Sequence, residues 1–160
     1  MQELKKEEGL ASWNTGSGRS IIFSDILSFL LKNPSYNIHI GTDSQIKSNN
    51  VHYVIAICVT NPSGGGRYFF RKIYEKKYKN ISLGIRLQKE VGMSIEIAEQ
   101  VSRCIDISKI SIHVDINDSP KYASSKFASG LTNYVKSMGY TCFIKPYSWA
   151  SFSVADRHTK

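Results

Sequence analysis

The sequence predicts an α/β protein with a mixed five-stranded sheet and helices on both faces. An early stretch, 37–74, contains three runs of β-branched and aromatic residues separated by turn residues, which is typical of antiparallel strands. A later stretch, 82–145, alternates helical periodicity with two short apolar runs, which is typical of parallel β-α-β units with right-handed crossovers. The 160 residues are 41% hydrophobic and 21% charged, as expected of one globular domain.

Each element has a local signal. Residues 1–20 are polar and rich in Gly and Ser, so we expect an irregular lead-in before a single domain at 21–160. A short helix should follow from about Ser24 and stop at Asn33 and Pro34. A polar turn is expected at 44–50. The predicted strands are 37–43, 51–60, 67–74, 109–115 and 140–145, and the later helices are 82–105, 122–138 and a short one in the tail after 148.

Composition limits the class of protein. No apolar run approaches the roughly 18–20 residues that a membrane span needs. The start, 1–9, is charged and mixed in sign, unlike a secretory signal, so we expect a cytoplasmic protein. Three cysteines without CxxC spacing favour reduced, buried thiols over disulfides or a zinc site. The formal charge of +8 and pI near 9.4 favour an anionic partner, of which nucleic acid is the commonest.

Two of the predicted strands end on an aspartate. Residues 38–43 are IHIGTD and residues 110–115 are ISIHVD. If the strands are parallel neighbours, Asp43 and Asp115 lie together at the carboxyl edge, where open α/β sheets carry their sites. Such carboxylates repel each other unless a proton or cation lies between them. The alternative for each aspartate is an ordinary strand end or turn residue. His39 and His113 share their face, and we expect both to be neutral and structural.

The helix at 82–105 offers three glutamates, which its periodicity distinguishes. At about 100° per residue, Glu90 lies about 70° from the centre of the apolar stripe, at the margin of the buried face. Glu99 is about 110° away and Glu96 almost opposite, so we expect both to be solvated. Glu90 is also nearest the start of the helix, close to the expected sheet edge. The alternative is an ordinary boundary glutamate.

The tail 153–160, SVADRHTK, places an acid in a basic segment. Asp156 is either a carboxylate that begins a helix, where the helix dipole favours it, or a further ligand delivered by that helix. His158 could protonate a leaving group or orient a carboxylate, since histidine titrates near neutrality. It could equally be a solvated tail residue.

These features resemble a known superfamily. The strand order, with Asp on strand one, Glu early in the first long helix, Asp ending strand four and Asp in the last helix, looks like the ribonuclease H fold and its metal-binding carboxylates. More narrowly, IGTDSQ at 40–45, VDIN at 114–117 and VADRHTK at 154–160 resemble the YkuK-like family, whose function is uncharacterised. The likeness runs from about residue 20 to the end of the chain. Glu90 has no distinctive motif around it.

The resemblance implies metal-dependent phosphodiester chemistry. Asp43, Glu90, Asp115 and Asp156 would hold two Mg²⁺ or Mn²⁺ ions, which hard oxygen ligands suit. One ion would activate a water and the other would stabilise the leaving oxygen. His158 would assist as a catalytic residue.

Substrate contact is expected from basic and aromatic residues. Residues 67–79 interleave cations with five aromatic residues, a combination that can bind phosphates and bases. The alternative is a basic edge strand that resists aggregation and turns its aromatic residues to the core. The predicted nucleic-acid contacts are Ser44, Gln45, Asn117, Arg71, Lys76, Lys77, Lys79 and Arg157.

Three hypotheses follow. The first is a metal-dependent nuclease acting on RNA, an RNA/DNA hybrid or DNA. The second is a catalytically inactive domain of the same fold that binds nucleic acid without turnover. The third, a sugar-kinase-like ATPase, ranks last because that chemistry normally needs two such domains, and 160 residues are too few.

Overall fold

The computed structural model describes residues 12–76 and 81–160. In the described residues, seven strands form one mixed sheet in the order β2-β1-β5-β4-β3-β6-β7. The strands are β1 Trp13–Thr15, β2 Ser20–Ile21, β3 Asn37–Lys47, β4 Asn50–Thr60, β5 Gly66–Lys76, β6 Ile110–His113 and β7 Thr141–Phe143. The helices are α1 Phe23–Lys32, α2 Leu83–Ser102, α3 Ala128–Ser137 and α4 Asp156–Thr159, with a π-helical turn at Ala150–Ala155.

The mixed sheet confirms the predicted class, although the predicted number of strands was wrong. β3, β4 and β5 are antiparallel, whereas β3, β6 and β7 are parallel, as predicted. The two additional strands, β1 and β2, lie in the segment that we expected to be irregular. Trp13 is only 1% exposed in the core, and Asn14 and Thr15 pair with β5. Strands of two or three residues are too short to show an alternating pattern, and the Gly and Ser around them predicted a loop.

Several element boundaries also differ from the predicted ones. β3 continues past 43 to Lys47, so the turn before β4 shrinks to Ser48 and Asn49, and Ser48 takes a positive φ of 52°. The predicted helix at 122–138 begins as a 3₁₀ turn at Ala123–Phe127. Of the three cysteines expected to be buried, only Cys58 is buried, while Cys104 is exposed. No described helix has the length and hydropathy of a membrane span.

The two faces of the sheet carry different layers. On one face, α1, α2 and α3 pack over a large core that includes Ile40, Ile57 and Ile112, all fully buried. On the other face, Val54 and Phe70 pack against Ala150 and Ala155 of the C-terminal segment. We call these the helical face and the C-terminal face. Because side chains alternate along a strand, each strand presents one set of residues to each layer.

Candidate functional site

The two strand-end aspartates lie on neighbouring parallel strands. The last paired residues of β3 and β6 are Gly41 and His113, and each aspartate follows its paired residue by two positions. Asp43 and Asp115 therefore leave adjacent strands at the same edge, as the sequence predicted. Asp43 is still within β3, whereas Asp115 follows the end of β6. Alternation places Asp43 on the C-terminal face with Gly41.

Asp43 is buried among other acids. Only 7% of the residue is exposed, and burial above all raises its pKa to about 6. The charges of Asp115 and Asp156 raise the pKa further, while a hydrogen bond with Thr159 opposes the shift. Thr159 Oγ1 lies 2.8 Å from Asp43 Oδ2. The last helix thus reaches the end of β3 through Thr159.

Glu90 approaches the same place from the helical face. It is 5% exposed, and Ser44 Oγ donates a 2.5 Å hydrogen bond to its Oε1. Its Oε2 is buried and has no hydrogen-bond partner. Burial raises its pKa well above the usual value, Ser44 opposes this shift, and the charges of Asp43 and Asp115 add to it. A buried carboxylate oxygen without a partner is energetically costly, so this oxygen is available to a cation or a proton.

A polar stripe on α2 explains the position of Glu90. Arg86, Glu90 and Ser94 are spaced four residues apart and therefore lie on one side of the helix. Arg86 Nη1 donates to the carbonyl and hydroxyl oxygens of Ser44, each at 3.2 Å, and Ser94 bonds to Thr42 at 2.7 Å. Alternate residues of β3, Thr42 and Ser44, thus bond to successive turns of α2. We did not predict Arg86 or Ser94, although their four-residue spacing around Glu90 is visible in the sequence.

Lysines neutralise the other two acids. Lys145 Nζ lies 2.6 Å from Asp115 Oδ1, although that oxygen has no hydrogen bond of acceptable geometry. Lys160 Nζ lies 2.8 Å from Asp156 Oδ2, one turn along α4. Neither lysine was predicted from the sequence. The Asp156–Lys160 spacing of four was a visible signal, whereas the pair formed by Lys145 depends on the tertiary structure.

The charges of neighbouring acids act on Asp43 and Glu90, but the four candidate acids do not form a closed ligand cage. Within residues 12–76 and 81–160, no group of three or more His, Cys, Asp or Glu side chains is arranged so that it could hold a metal ion. The donor chemistry nevertheless suits a hard cation such as Mg²⁺, because all four candidates are carboxylates. Glu96 and Glu99 are exposed, as predicted.

The three histidines near the acids all have protein partners. Ala150 N–H donates to His113 Nδ1 at 3.1 Å, so His113 Nε2 carries the proton and lies 3.3 Å from Ser111 Oγ. Ser111 lies 2.8 Å from His39 Nδ1, and His39 Nε2 lies 3.0 Å from the Thr60 hydroxyl. Burial lowers the pKa of both, of His113 to about 3. The prediction that these two are neutral and structural is confirmed.

His158 is not free in solvent. Its hydrogen-bond partner is a tyrosine hydroxyl and not a carboxylate. Its ring stacks on Phe70 at 3.7 Å between centroids, and its Nε2 lies 3.1 Å from the Tyr68 hydroxyl. Burial and the charges of Lys72 and Arg157 lower its pKa. The solvated-tail interpretation of His158 is therefore wrong, because the aromatic surface of β5 holds the ring.

The predicted nucleic-acid contacts are scattered. Gln45 lies on the C-terminal face, two residues after Asp43, while Ser44 is engaged by Glu90. Asn117 Oδ1 accepts from Ser119 N at 2.9 Å, which is a turn contact. Arg71 alternates with Lys72 and so lies on the helical face, away from Asp43. Lys76, the last residue of β5, and Arg157 of α4 are exposed, whereas Lys77 and Lys79 fall outside the described residues.

The fold, the parallel pair of aspartates and the buried glutamate define an α/β protein of the ribonuclease H class. A family model described as ribonuclease H-like matches residues 21–160, and the chain belongs to that family. The chain is also similar to the uncharacterized protein YkuK of Bacillus subtilis (strain 168), with 27% identity over 165 aligned positions that cover 90% of this chain and 94% of that protein. No solved structure gives a significant match.

Proposed function

We propose that this protein is a metal-dependent nuclease that hydrolyses phosphodiester bonds of nucleic acid. The observation that carries the proposal is that Asp43 and Asp115 lie at one edge of the sheet, beside Glu90. The second carboxylate oxygen of Glu90 is buried without a partner. Asp156 adds a fourth carboxylate through α4. Membership of the ribonuclease H-like family supports nucleic acid as the substrate class.

The ligands of the proposed metal site are Asp43, Glu90, Asp115 and Asp156, which would hold Mg²⁺ or Mn²⁺, with two ions expected when substrate is bound. Bound there, the ions would activate water and stabilise the charge that develops on the phosphate. The chain itself supplies orientation: Ser44 fixes one oxygen of Glu90, and Arg86 fixes Ser44. Lys145 and Lys160 would give up their ion pairs as the acids turn to the ions.

The first test uses Asp43→Asn. We expect the native protein to cleave at least one member of a panel of RNA, DNA and hybrid substrates with Mg²⁺ or Mn²⁺. The substitution should reduce cleavage on the order of 100-fold or more, because it removes a central ligand and its charge. Cleavage is followed on denaturing gels, and circular dichroism verifies that the variant is folded.

Asp118→Asn is the matched control. It makes the same chemical change as Asp43→Asn, but at an exposed aspartate outside the proposed site. It should cleave like the native protein. Full activity of folded Asp43→Asn would contradict the proposal.

A second candidate function is binding of nucleic acid without turnover. The observations that favour it are the lysine ion pairs on Asp115 and Asp156 and the lack of a three-residue metal group among the described side chains. This alternative predicts salt-sensitive binding that survives Asp43→Asn, and no cleavage by the native protein. The substrate panel therefore separates the two functions.

A further inference from the structure

A basic pocket lies beside the carboxylates on the C-terminal face. It has a volume of about 140 Å³. Side chains from three strands and the last helix line it: Lys47, His52, Lys72, Tyr74, His158 and Lys160. None of its lining residues is acidic. The pocket brings together lysines that are distant in sequence. A basic surface that only keeps the protein solvated would not need its lysines to converge in this way.

The register of the sheet fixes the distance from this pocket to the proposed site. Asp43 of β3 pairs with Val54 of β4, and Val54 pairs with Lys72 of β5. These residues form one row across the C-terminal face, and neighbouring strands are about 4.8 Å apart. The backbone of Lys72 is therefore about 10 Å from that of Asp43. A ligand in the pocket and a group at Asp43 could belong to the same short stretch of polymer.

The electrostatic environment of the pocket favours an anion. Lys47, Lys72 and Lys160 bring three ammonium groups to the lining of the pocket. Asp156, one helical turn from Lys160, is paired with that lysine. Cations gathered in a concavity repel one another and attract a negative ligand more strongly than separated surface lysines do.

The size and the rim of the pocket indicate which anion. A volume of about 140 Å³ is large enough for one phosphate group, and the lysine ammonium groups in the lining suit phosphate oxygens. At the rim, Tyr74 is 60% exposed, and its ring meets that of His52 edge to face at 4.6 Å. An exposed, fixed aromatic ring is a surface on which a base can stack.

We propose that this pocket binds a phosphate group of a nucleic-acid strand whose neighbouring nucleotides reach the carboxylates. Lys47 and Lys72 contact the phosphate, and Tyr74 supports a base beside it. The position of the scissile bond rests on the proposed nuclease function, whereas phosphate binding in the pocket does not require cleavage.

The experiment measures binding with cleavage prevented by a chelator. The probes are short fluorescein-labelled RNA and DNA single strands of about 12 nucleotides, each with a 5′-phosphate or a 5′-hydroxyl. The double variant Lys47→Gln/Lys72→Gln should bind about tenfold more weakly or worse, and the slope of log affinity against log salt should fall by about one per lysine. Fluorescence anisotropy gives both quantities.

Lys136→Gln is the matched control, because Lys136 is exposed on α3 over the opposite face. It should change affinity by less than about twofold, as expected of a charge that contacts no phosphate. Stronger binding of the 5′-phosphorylated strand identifies a terminal phosphate as the occupant, and equal binding identifies a backbone phosphate.

Equal weakening by the pocket variant and by Lys136→Gln would overturn the proposal, as would failure of the native protein to bind any probe. Normal binding by the pocket variant together with lost cleavage by Asp43→Asn would reject the pocket and retain the nuclease. Weakened binding by the pocket variant together with full cleavage by Asp43→Asn would retain the pocket and reject the metal site.

Discussion

Thr159 has one hydroxyl proton and two oxygen neighbours, Asp43 Oδ2 at 2.8 Å and the Asp156 carbonyl at 2.9 Å. When Asp43 is protonated, it donates to Thr159 Oγ1, and the hydroxyl donates to the carbonyl. When Asp43 loses its proton, the hydroxyl can turn to the carboxylate instead. Burial raises the pKa of Asp43 to about 6, so both arrangements are accessible near neutral pH. A single threonine thus links the charge of Asp43 to the first turn of α4.

His113, which is buried and whose ring contacts that of His39, predicts a pH dependence of stability. Burial lowers the pKa of His113 in the folded protein to about 3, from 6.5 in an unfolded chain. The folded state excludes a proton that the unfolded state binds, so the contribution to stability is present above about pH 6.5 and is lost as the pH falls toward 3. Between about pH 7 and 5, His113 should account for a loss of about 2 kcal/mol.

Urea unfolding of the native protein and of His113→Asn measures this loss. Asparagine keeps a hydrogen-bonding group but does not titrate, so the free energy of unfolding of the variant should fall less over the same interval. The raised pKa values of Asp43 and Glu90 act in the opposite direction, because the folded state keeps their protons. Both acids are present in both proteins, so their effect cancels in the comparison. Equal pH dependence of the two proteins would contradict the prediction.

At the scale of elements, Gly41 determines how closely the C-terminal segment packs on β3. A Cβ at this position would lie 2.5 Å from Ser151 N and 2.8 Å from the Ala150 carbonyl carbon. These are backbone atoms, which cannot move aside as a flexible side chain would. The close approach places the π-helical turn, and α4 after it, directly on the strand that carries Asp43.

We expect Gly41→Ala to destabilise the protein by about 1–3 kcal/mol, because the added methyl overpacks a tight contact. It should also lower any nuclease activity, since displacement of the segment moves Asp156 and Thr159. Thermal unfolding and the cleavage assay measure the two effects. In the control Gly130→Ala, nothing lies within 4 Å of the added Cβ, and alanine in α3 should be neutral or stabilise by up to about 1 kcal/mol.

At the scale of the whole molecule, four acids from separate elements depend on lysines or protons for neutralisation. A divalent ion that binds only the folded state should stabilise the whole protein. At a concentration about 100 times its dissociation constant, Mn²⁺ should add about 2.7 kcal/mol. For a chain of this size, that corresponds to an increase in Tm of several degrees, about 2–4 °C per kcal/mol.

The comparison that tests this prediction is the shift in Tm on adding MnCl₂ to the native protein and to Asp43→Asn, with KCl at equal ionic strength as the salt control. The shift should be much smaller in the variant, which lacks a central ligand. An equal shift in both proteins would show that the ion binds elsewhere.

Local sequence patterns were sufficient to predict the main strands and helices. The β-branched runs and the helical periodicity predicted β3 to β7, because each of these elements depends on residues close together in sequence. The approach of Asp43 to Asp115 was predicted on the condition that their strands are parallel neighbours, and β3 and β6 meet that condition. The helical periodicity likewise predicted that Glu90 lies at the margin of the buried face of its helix, and Glu90 is buried. The pattern did not predict β1 and β2, because strands of two and three residues carry too little alternation to differ from a Gly- and Ser-rich loop.

The position of each acid along its own strand or helix could be read from the sequence, since alternation and helical phase are local properties. Which acids meet, and what neutralises them, depends on tertiary contacts. Lys145 meets Asp115 across 30 positions of the chain (115 to 145), and Thr159 meets Asp43 across 116 positions. The lysines of the basic pocket, Lys47 and Lys72, are aligned by the pairing register of three strands. The C-terminal segment that carries Thr159 is held by packing onto Gly41, and such a packing contact leaves no periodic signal along the chain.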